Sequence, residues 1–463
     1  MTSRTLLLLA ALVGLGASEF VLPCYFANYA QYRQGIGRFV PENYQAGLCT
    51  HIFFGYATIN PDYSIAVPSD PASDLTRNNV TGLYGRVNNL KNKQPGLKTV
   101  LSFGGQGTES WKFSRVVADA TRRGSFISTA LELVKSYGFD GIDISWFYPT
   151  TADKSNFATF IKELKAAAGD LLVTATVSGH LNIAQNSYDG VALAASLDYV
   201  NVQSFDYAGP WNRFVGLTSP LFDPNGMSVS YILNAYNNLG FNKSQILLGV
   251  TAVGPTWFLD NPNFVGVGSS GQPLTAYPYS NTNGYAAYYE VCNIVVQSHR
   301  YWQTPQQVPF IVFGSLWFSY EDASSIAVKM QFVREQGYGG AFLSNLDFDD
   351  FSGQCAGRQR YPLATAMKNG LFSAAPTPKP SGSPVTQAPA PTQKPIPAFV
   401  CPGNGYFSDP TDCSRYFYCS NGQAYPFVCP LNTWWSESRQ GCFTAQYVVC
   451  FQKSALEQKL ELQ

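Results

Sequence analysis

The residues most able to do chemistry lie in the run Phe139-Asp140-Gly141-Ile142-Asp143-Ile144-Ser145-Trp146-Phe147-Tyr148-Pro149. Two carboxylates stand three residues apart in a short apolar stretch that reads as a buried strand. Side chains alternate along a strand, so Asp143, Ser145 and Phe147 face the same way. A carboxylic acid held there could give or take a proton, because burial raises its pKa. Its two neighbours could not: Phe147 has no proton to donate, and Ser145 carries no charge. Asp206, in Gln203-Ser204-Phe205-Asp206, ends another such stretch. Asp140, Asp143 and Asp206 have a plainer use as structural acids bonded to one another or to backbone amides.

Other chemistries lack their residues. His51, His180 and His299 are the only histidines and are widely separated, which argues against a zinc site. No glycine-rich phosphate cradle joins a strand to a helix, so no cofactor is expected. Lys plus Arg and Asp plus Glu balance at 30 each without a basic run, which excludes nucleic acid and anionic membrane as partners.

The elements that must position these residues follow from periodicity. Short β-rich segments at 21–26, 51–59, 98–103, 141–146, 171–177, 199–205, 246–253 and 340–343 alternate with helical patterns such as 123–137 and 156–168. Eight such strands predict an α/β fold, a (β/α)8 TIM barrel over 19–374, with functional side chains at the C-terminal strand ends. The stretch at about 258–317 is too long for a simple connection and predicts an inserted α+β subdomain.

Residues 375–397, rich in Pro, Thr, Ser and Ala, cannot bury enough surface to fold and predict a disordered linker. At the N-terminus, Arg4, the apolar run 6–15 and then Gly16, Ala17 and Ser18 predict a signal peptide over 1–18, hence a secreted protein. That run is too short to span a bilayer. Ten cysteines in that setting predict disulfides. Six of them, Cys401, Cys413, Cys419, Cys429, Cys442 and Cys450, crowd into 398–451, as in a small β domain whose core needs staples. Spacing alone leaves their pairing open. Residues 452–463 are a polar tail.

With these residues in view, the 139–149 run resembles the signature strand of the family-18 glycoside hydrolases, the chitinases and chitinase-like lectins, whose pattern is D-G-x-D-x-D-W-E-Y-P. The resemblance extends through Cys24-Tyr25-Phe26, Gln31-Tyr32-Arg33, Leu48-Cys49-Thr50-His51-Ile52, Ser102-Phe103-Gly104-Gly105 and Leu346-Asp347-Phe348-Asp349-Asp350-Phe351. It implies that Phe147 stands at the general-acid glutamate and Ser145 at the aspartate that orients the substrate's N-acetyl group, a substrate-assisted scheme. It also implies that Phe205 replaces a tyrosine, that Ser344 replaces the tryptophan under the central sugar, and that Tyr29 and Gln106 replace two groove tryptophans. Val253 and Pro255 fall where Tyr and Arg are usual, while Asp206 and Trp211 are kept. The degenerate site is then Asp140, Asp143, Ser145, Phe147, Phe205, Asp206 and Ser344. The family's pairings imply disulfides Cys24–Cys49 and Cys292–Cys355.

The C-terminal sequence, with Gly405-Tyr406-Phe407, Asp412-Cys413-Ser414-Arg415-Tyr416-Phe417-Tyr418-Cys419-Ser420-Asn421-Gly422, Cys429-Pro430 and Trp434-Trp435, resembles the peritrophin-A chitin-binding domain. That family implies Cys401–Cys419, Cys413–Cys450 and Cys429–Cys442. Chitin offers flat pyranose faces, so Tyr416, Tyr418, Asn421, Trp434 and Trp435 are the candidate contacts. The reading that follows is a secreted, catalytically inactive chitinase-like protein. It binds chitin or chitooligosaccharide mainly through this module, with a structural or extracellular-matrix role and a barrel open to an extracellular protein partner. A lectin or signalling ligand acting through the barrel, and a residual glycosidase, are the alternatives.

Overall fold

The computed structural model describes residues 20–106, 108–223, 227–295, 299–355, 357–373, 399–403, 405–420, 423–428, 433–437 and 441–444. The expected signal peptide at 1–18, the linker at 375–397 and the tail at 452–463 lie outside the described residues. The chain divides into two compact units, 1–375 and 376–463.

In the first unit the eight expected strands are present: β1 Pro23–Ala27, β2 His51–Ile59, β3 Lys98–Gly104, β4 Gly141–Ser145, β5 Leu172–Ser178, β6 Tyr199–Gln203, β7 Ile246–Val250 and β8 Gly340–Leu343. All pair in parallel in sequence order. The ring closes because β1 pairs both with β2, from Pro23↔His51 to Ala27↔Gly55, and with β8 at Cys24↔Leu343. Most of these strands are buried on both faces, as expected where helices cover the outside and side chains fill the inside of a parallel barrel. Crossover helices carry sequence-readable ends: Asp119 accepts from the Arg122 amide at the start of Ala120–Tyr137, and Gly138, at φ 74°, closes it in the left-handed conformation.

Strand ends differ from the periodicity by a few residues, for local reasons. β6 stops at Gln203 rather than 205 because Asp206 adopts a positive φ of 62° and turns the chain out of the sheet. β4 stops at Ser145. The Trp146 side chain beyond it is buried, packs on Phe113 and Phe157, and donates from Nε1 to Ser110 Oγ at 2.7 Å. β7 ends at Val250 rather than 253, because Thr251 bonds back to Val253 and starts the insert there.

The inserted subdomain runs from Val253 to Ser319, a few residues wider than 258–317 at each end. It holds antiparallel strands at Val253–Leu259, Gly271–Pro273, Tyr285–Ala287, His299–Gln303, Val308–Phe313 and Leu316–Ser319, with a helix at Tyr288–Val295. Cys24–Cys49 ties β1 to the residues leading into β2, and Cys292–Cys355 ties the insert's helix to the loop after β8.

The second unit has a three-stranded antiparallel sheet, Gly405–Ser408, Arg415–Ser420 and Gln423–Val428, and a hairpin, Thr433–Ser436 with Gly441–Thr444. Cys401–Cys419 is formed as expected, and Cys413 is disulfide-bonded. Cys450 and Cys429, the partners expected for Cys413 and Cys442, lie outside the described residues.

Candidate functional site

Barrel topology places the C-terminal strand ends around one mouth, and Asp143 lies below it in the middle of β4. Register puts Ser102 of β3 and Thr174 of β5 directly beside Asp143. The carboxylate accepts from Ser102 Oγ at 2.6 Å, Thr174 Oγ1 at 2.7 Å and Tyr25 Oη at 2.9 Å, with Asn201 Nδ2 at 3.4 Å and Thr176 Oγ1 at 3.5 Å. Asp143 is fully buried; that burial raises its pKa, and the hydroxyl donors oppose the rise. Sequence reasoning missed these partners. The available signal was the polar residues inside these apolar strands: Tyr25, Ser102, Thr174 with Thr176, and Asn201.

Ser145, at the end of β4, is also fully buried; its hydroxyl lies beside Tyr56 without a well-formed hydrogen bond. Phe147, just past the strand, is partly exposed, and its ring stacks on Tyr148 at 5.3 Å between centroids. Phe205 is buried inside the barrel with Tyr25, Phe53, Leu247 and Phe342. Gly249 makes that possible: a Cβ there would come within 2.9 Å of the Phe205 ring and 3.0 Å of the Phe342 ring. Ser344 is partly buried; its amide donates to Val250 O at 2.9 Å and its hydroxyl to Asn345 Oδ1.

Asp206 stands at the rim. Tyr285 of the insert donates to its Oδ1 at 3.2 Å, and its own amide donates to Thr218 Oγ1 at 3.2 Å. Burial pushes its carboxyl up to about 6, against the hydrogen bonds from Tyr285 and Thr218. Tyr148 bonds to Gln203 beside it. Of the other positions that the resemblance implies for a groove, Tyr29, Gln106 and Trp211 are exposed, whereas Pro255 is buried in the insert's first strand.

Asp140 does not belong to this site. It precedes β4 and therefore sits at the opposite, N-terminal end of the barrel, where it pairs with Lys91 at 2.6 Å and accepts from the Thr99 amide at 2.8 Å. Asp143 is three positions further along, an odd step, and strand side chains alternate, so the two acids end at different depths and on different sides.

In the second unit the candidate contacts divide. Tyr416 and Trp435 are core: both are buried, and their rings stack at 4.0 Å between centroids, with Tyr406 against them. A small domain has little else to bury, which is why they are not available to a ligand. Trp434, next to Trp435 and hence on the other side of its strand, is partly exposed. Tyr418 lies in Arg415–Ser420, in register with Tyr406. Asn421 lies outside the described residues.

Comparison with known proteins agrees with this architecture. The model of the glycosyl hydrolases family 18 matches residues 21–349, and that of the chitin binding Peritrophin-A domain matches 401–450. A Caenorhabditis elegans protein named "Probable endochitinase" is 40% identical over 76% of this chain, which spans 60% of that relative's length. Human chitinase-3-like protein 2 is 34% identical over 77% of this chain and 94% of its own. Among solved structures, the immunomodulatory active chitinase of Trichuris suis superposes with a TM-score of 0.72 at 33% identity, covering 76% of this chain and all of that one. Human YKL-39, described as a pseudo-chitinase with retained chitooligosaccharide binding properties, gives 0.71 at 32% identity, over 76% and all of the respective chains.

Proposed function

From the premise that this chain belongs to the family-18 glycosyl hydrolases and carries a peritrophin-A chitin-binding domain, we propose that it is a secreted, non-hydrolysing protein anchored to chitin by that domain. The observation that carries the proposal is the end of β4. Where the family pattern needs a general acid there is Phe147, and where it needs an aspartate there is Ser145. Neither can protonate a glycosidic oxygen, a step typically contributing about 10²- to 10⁴-fold. Asp143 does not substitute for them, since it is enclosed by donors below the mouth.

Relatives of both kinds surround the chain. The Trichuris suis protein is described as an active chitinase, and YKL-39 as an inactive one that still binds chitooligosaccharide. The barrel mouth here favours the second kind without its sugar floor, because Ser344 and Phe205 offer no stacking tryptophan and no tyrosine hydroxyl. Binding is therefore assigned to the C-terminal domain, with Trp434 and Tyr418 as the contacts left after Tyr416 and Trp435 are placed in the core. The barrel's role is structural within a chitinous extracellular matrix, with its outer surface free for a protein partner.

The test is to incubate the full chain with insoluble chitin and with a chitooligosaccharide, measuring depletion in the first and cleavage in the second. Depletion with no cleavage from pH 4 to 8 is the expected result. Cleavage that Asp206→Asn abolishes would overturn the proposal in favour of a residual glycosidase acting through the rim.

A further inference from the structure

The acceptor pattern for N-linked glycosylation is Asn, then any residue except Pro, then Ser or Thr. It occurs twice in the chain, as Asn79-Val80-Thr81 and Asn242-Lys243-Ser244. Neither belongs to the barrel mouth or to the C-terminal domain. A three-residue pattern arises often by chance, so its surroundings decide its use. The acceptor must be reachable, its amide free of other bonds, and the hydroxyl two residues on equally open.

Asn79 meets these conditions. It lies in the connection from β2 to a helix at Leu83–Asn88, in a tight two-residue turn. Arg77 and Val80 close the turn: the Val80 amide donates to Arg77 O at 2.8 Å, and the Arg77 amide to Val80 O at 3.1 Å. Asn78 and Asn79 between them have φ of 49° and 63°. Positive φ at both positions is the type I′ conformation, which asparagine tolerates better than most side chains. The turn thus accounts for the two asparagines but leaves Thr81 to be explained. Thr81 is not the cap of the following helix, which is Gly82. Residues 76–81 are all exposed. Among the described residues, neither the Asn79 side-chain amide nor the Thr81 hydroxyl has a hydrogen-bond partner.

Asn242 is exposed as well, but its side chain is in use. It precedes the single turn Lys243–Gln245, and a capping box ties it to Gln245, with Nδ2 donating to Gln245 Oε1 at 3.3 Å. The backbone of that motif is also fixed where β7 begins. The Gly339 amide donates to Lys243 O at 3.0 Å, and a Cβ on Gly339 would come within 2.1 Å of Ser244 O. Folding therefore leaves the first motif open and engages the second.

We propose that Asn79 carries an N-linked oligosaccharide. In the transfer, Asn79 Nδ2 forms a bond to C1 of an oligosaccharide held on a lipid pyrophosphate. The C1–O bond to the pyrophosphate breaks, the lipid pyrophosphate leaves with the electron pair, and the amide gives up one proton. The Thr81 hydroxyl is the recognition element this reaction requires. The inference rests on the secreted reading, because donor and transferase are met in the secretory pathway. Strand-to-helix connections of a barrel lie at the C-terminal strand ends, so the glycan stands at the mouth end, where it adds bulk and solubility.

The experiment is expression of the full chain in a mammalian cell line as wild type, Thr81→Ala, Thr81→Ser and Ser244→Ala. Protein from the medium is compared before and after peptide N-glycosidase F by gel mobility, peptide mass spectrometry and thermal melts. Treatment should speed the wild type on the gel and leave aspartate in place of asparagine at position 79. Thr81→Ala should lose that conversion completely, Thr81→Ser should keep it, and Ser244→Ala should match wild type at position 79. Both hydroxyls are exposed, so all four deglycosylated proteins should melt alike. Wild type that never reaches the medium would overturn the secreted reading and this inference with it. Secreted wild type with Asn79 unmodified, or modified at Asn242 alone, would overturn the inference and leave the secreted reading standing, as would conversion that survives Thr81→Ala.

Discussion

The floor of the barrel and its rim use the same residue types to different ends. On the floor, Asp143 is enclosed by Tyr25, Ser102, Thr174 and Asn201, and every oxygen of its carboxylate has a donor. At the rim, Asp206 is bonded by Tyr285 and Thr218 alone among the described residues, and burial pushes its carboxyl up to about 6. A buried acid ringed by donors is part of the scaffold, while an acid with fewer donors at the end of a strand can answer to pH or ligand. The floor network therefore holds the strands in register whether or not the mouth carries out chemistry. This explains how a barrel of this family can keep its fold with Phe147 and Ser145 at the end of β4.

The comparison breaks most clearly at Asp143. Asp143→Ala leaves several buried hydroxyls and an amide without their acceptor, and should cost about 3 kcal/mol or more in urea unfolding. A loss below about 1 kcal/mol would mean that the floor is not a structural network. Next in size is Asp206. Its folded pKa of about 6 lies above the ordinary value of 3.8, so the native state holds its proton more tightly than the unfolded chain. Its contribution is fully present below about pH 4 and is lost as pH rises through 6. Asp206→Asn should flatten the stability profile across that window and stabilise the protein by about 2 kcal/mol above it. An unchanged profile would place the titration elsewhere.

Tyr285→Phe is a smaller perturbation. It removes one hydrogen bond, about 1 kcal/mol, and should raise the Asp206 pKa further, because that bond favours the charged form; NMR titration of the carboxyl reads the direction. The smallest expected effect is none. Phe147→Glu, alone or with Ser145→Asp, should yield no measurable chitooligosaccharide cleavage, since on the proposed reading Phe205 and Ser344 still deny the sugar its hydroxyl and stacking contacts. Recovered turnover would show that the rim is closer to an enzyme than its residues indicate.

Much of the fold was legible in the residues. Apolar runs separated by helical periods located all eight barrel strands, because most are buried on both faces and so carry a largely continuous apolar signal. The boundaries at Ser145, Gln203 and Val250 were not legible, since a turn bond at Thr251 and a positive φ at Asp206 end the pairing before hydrophobicity does. Within the candidate site, Asp143, Ser145, Phe147, Phe205 and Ser344 were named from type, position and the family resemblance. Asp140 was grouped with them although it precedes the strand, and in such a barrel the mouth lies at the C-terminal strand ends; the structure pairs it with Lys91 at the other end. Tyr285 was not found at all. It comes from the insert, 79 residues from Asp206, and only the folding of the insert toward the rim joins them.

The sequence by itself determined the two-part organisation, the strand order of the barrel, the pairing of Cys24 with Cys49, Cys292 with Cys355 and Cys401 with Cys419 through resemblance, and the chemical poverty of positions 145 and 147. These depend on composition, local period and residue type, which a linear string carries. Only the tertiary structure decided that Asp143 is enclosed, that Asp206 is shared with the insert, and that Tyr416 and Trp435 are core rather than contact. Each of those depends on which distant residues share a small volume, and burial, pKa and accessibility are properties of that shared volume rather than of any residue alone.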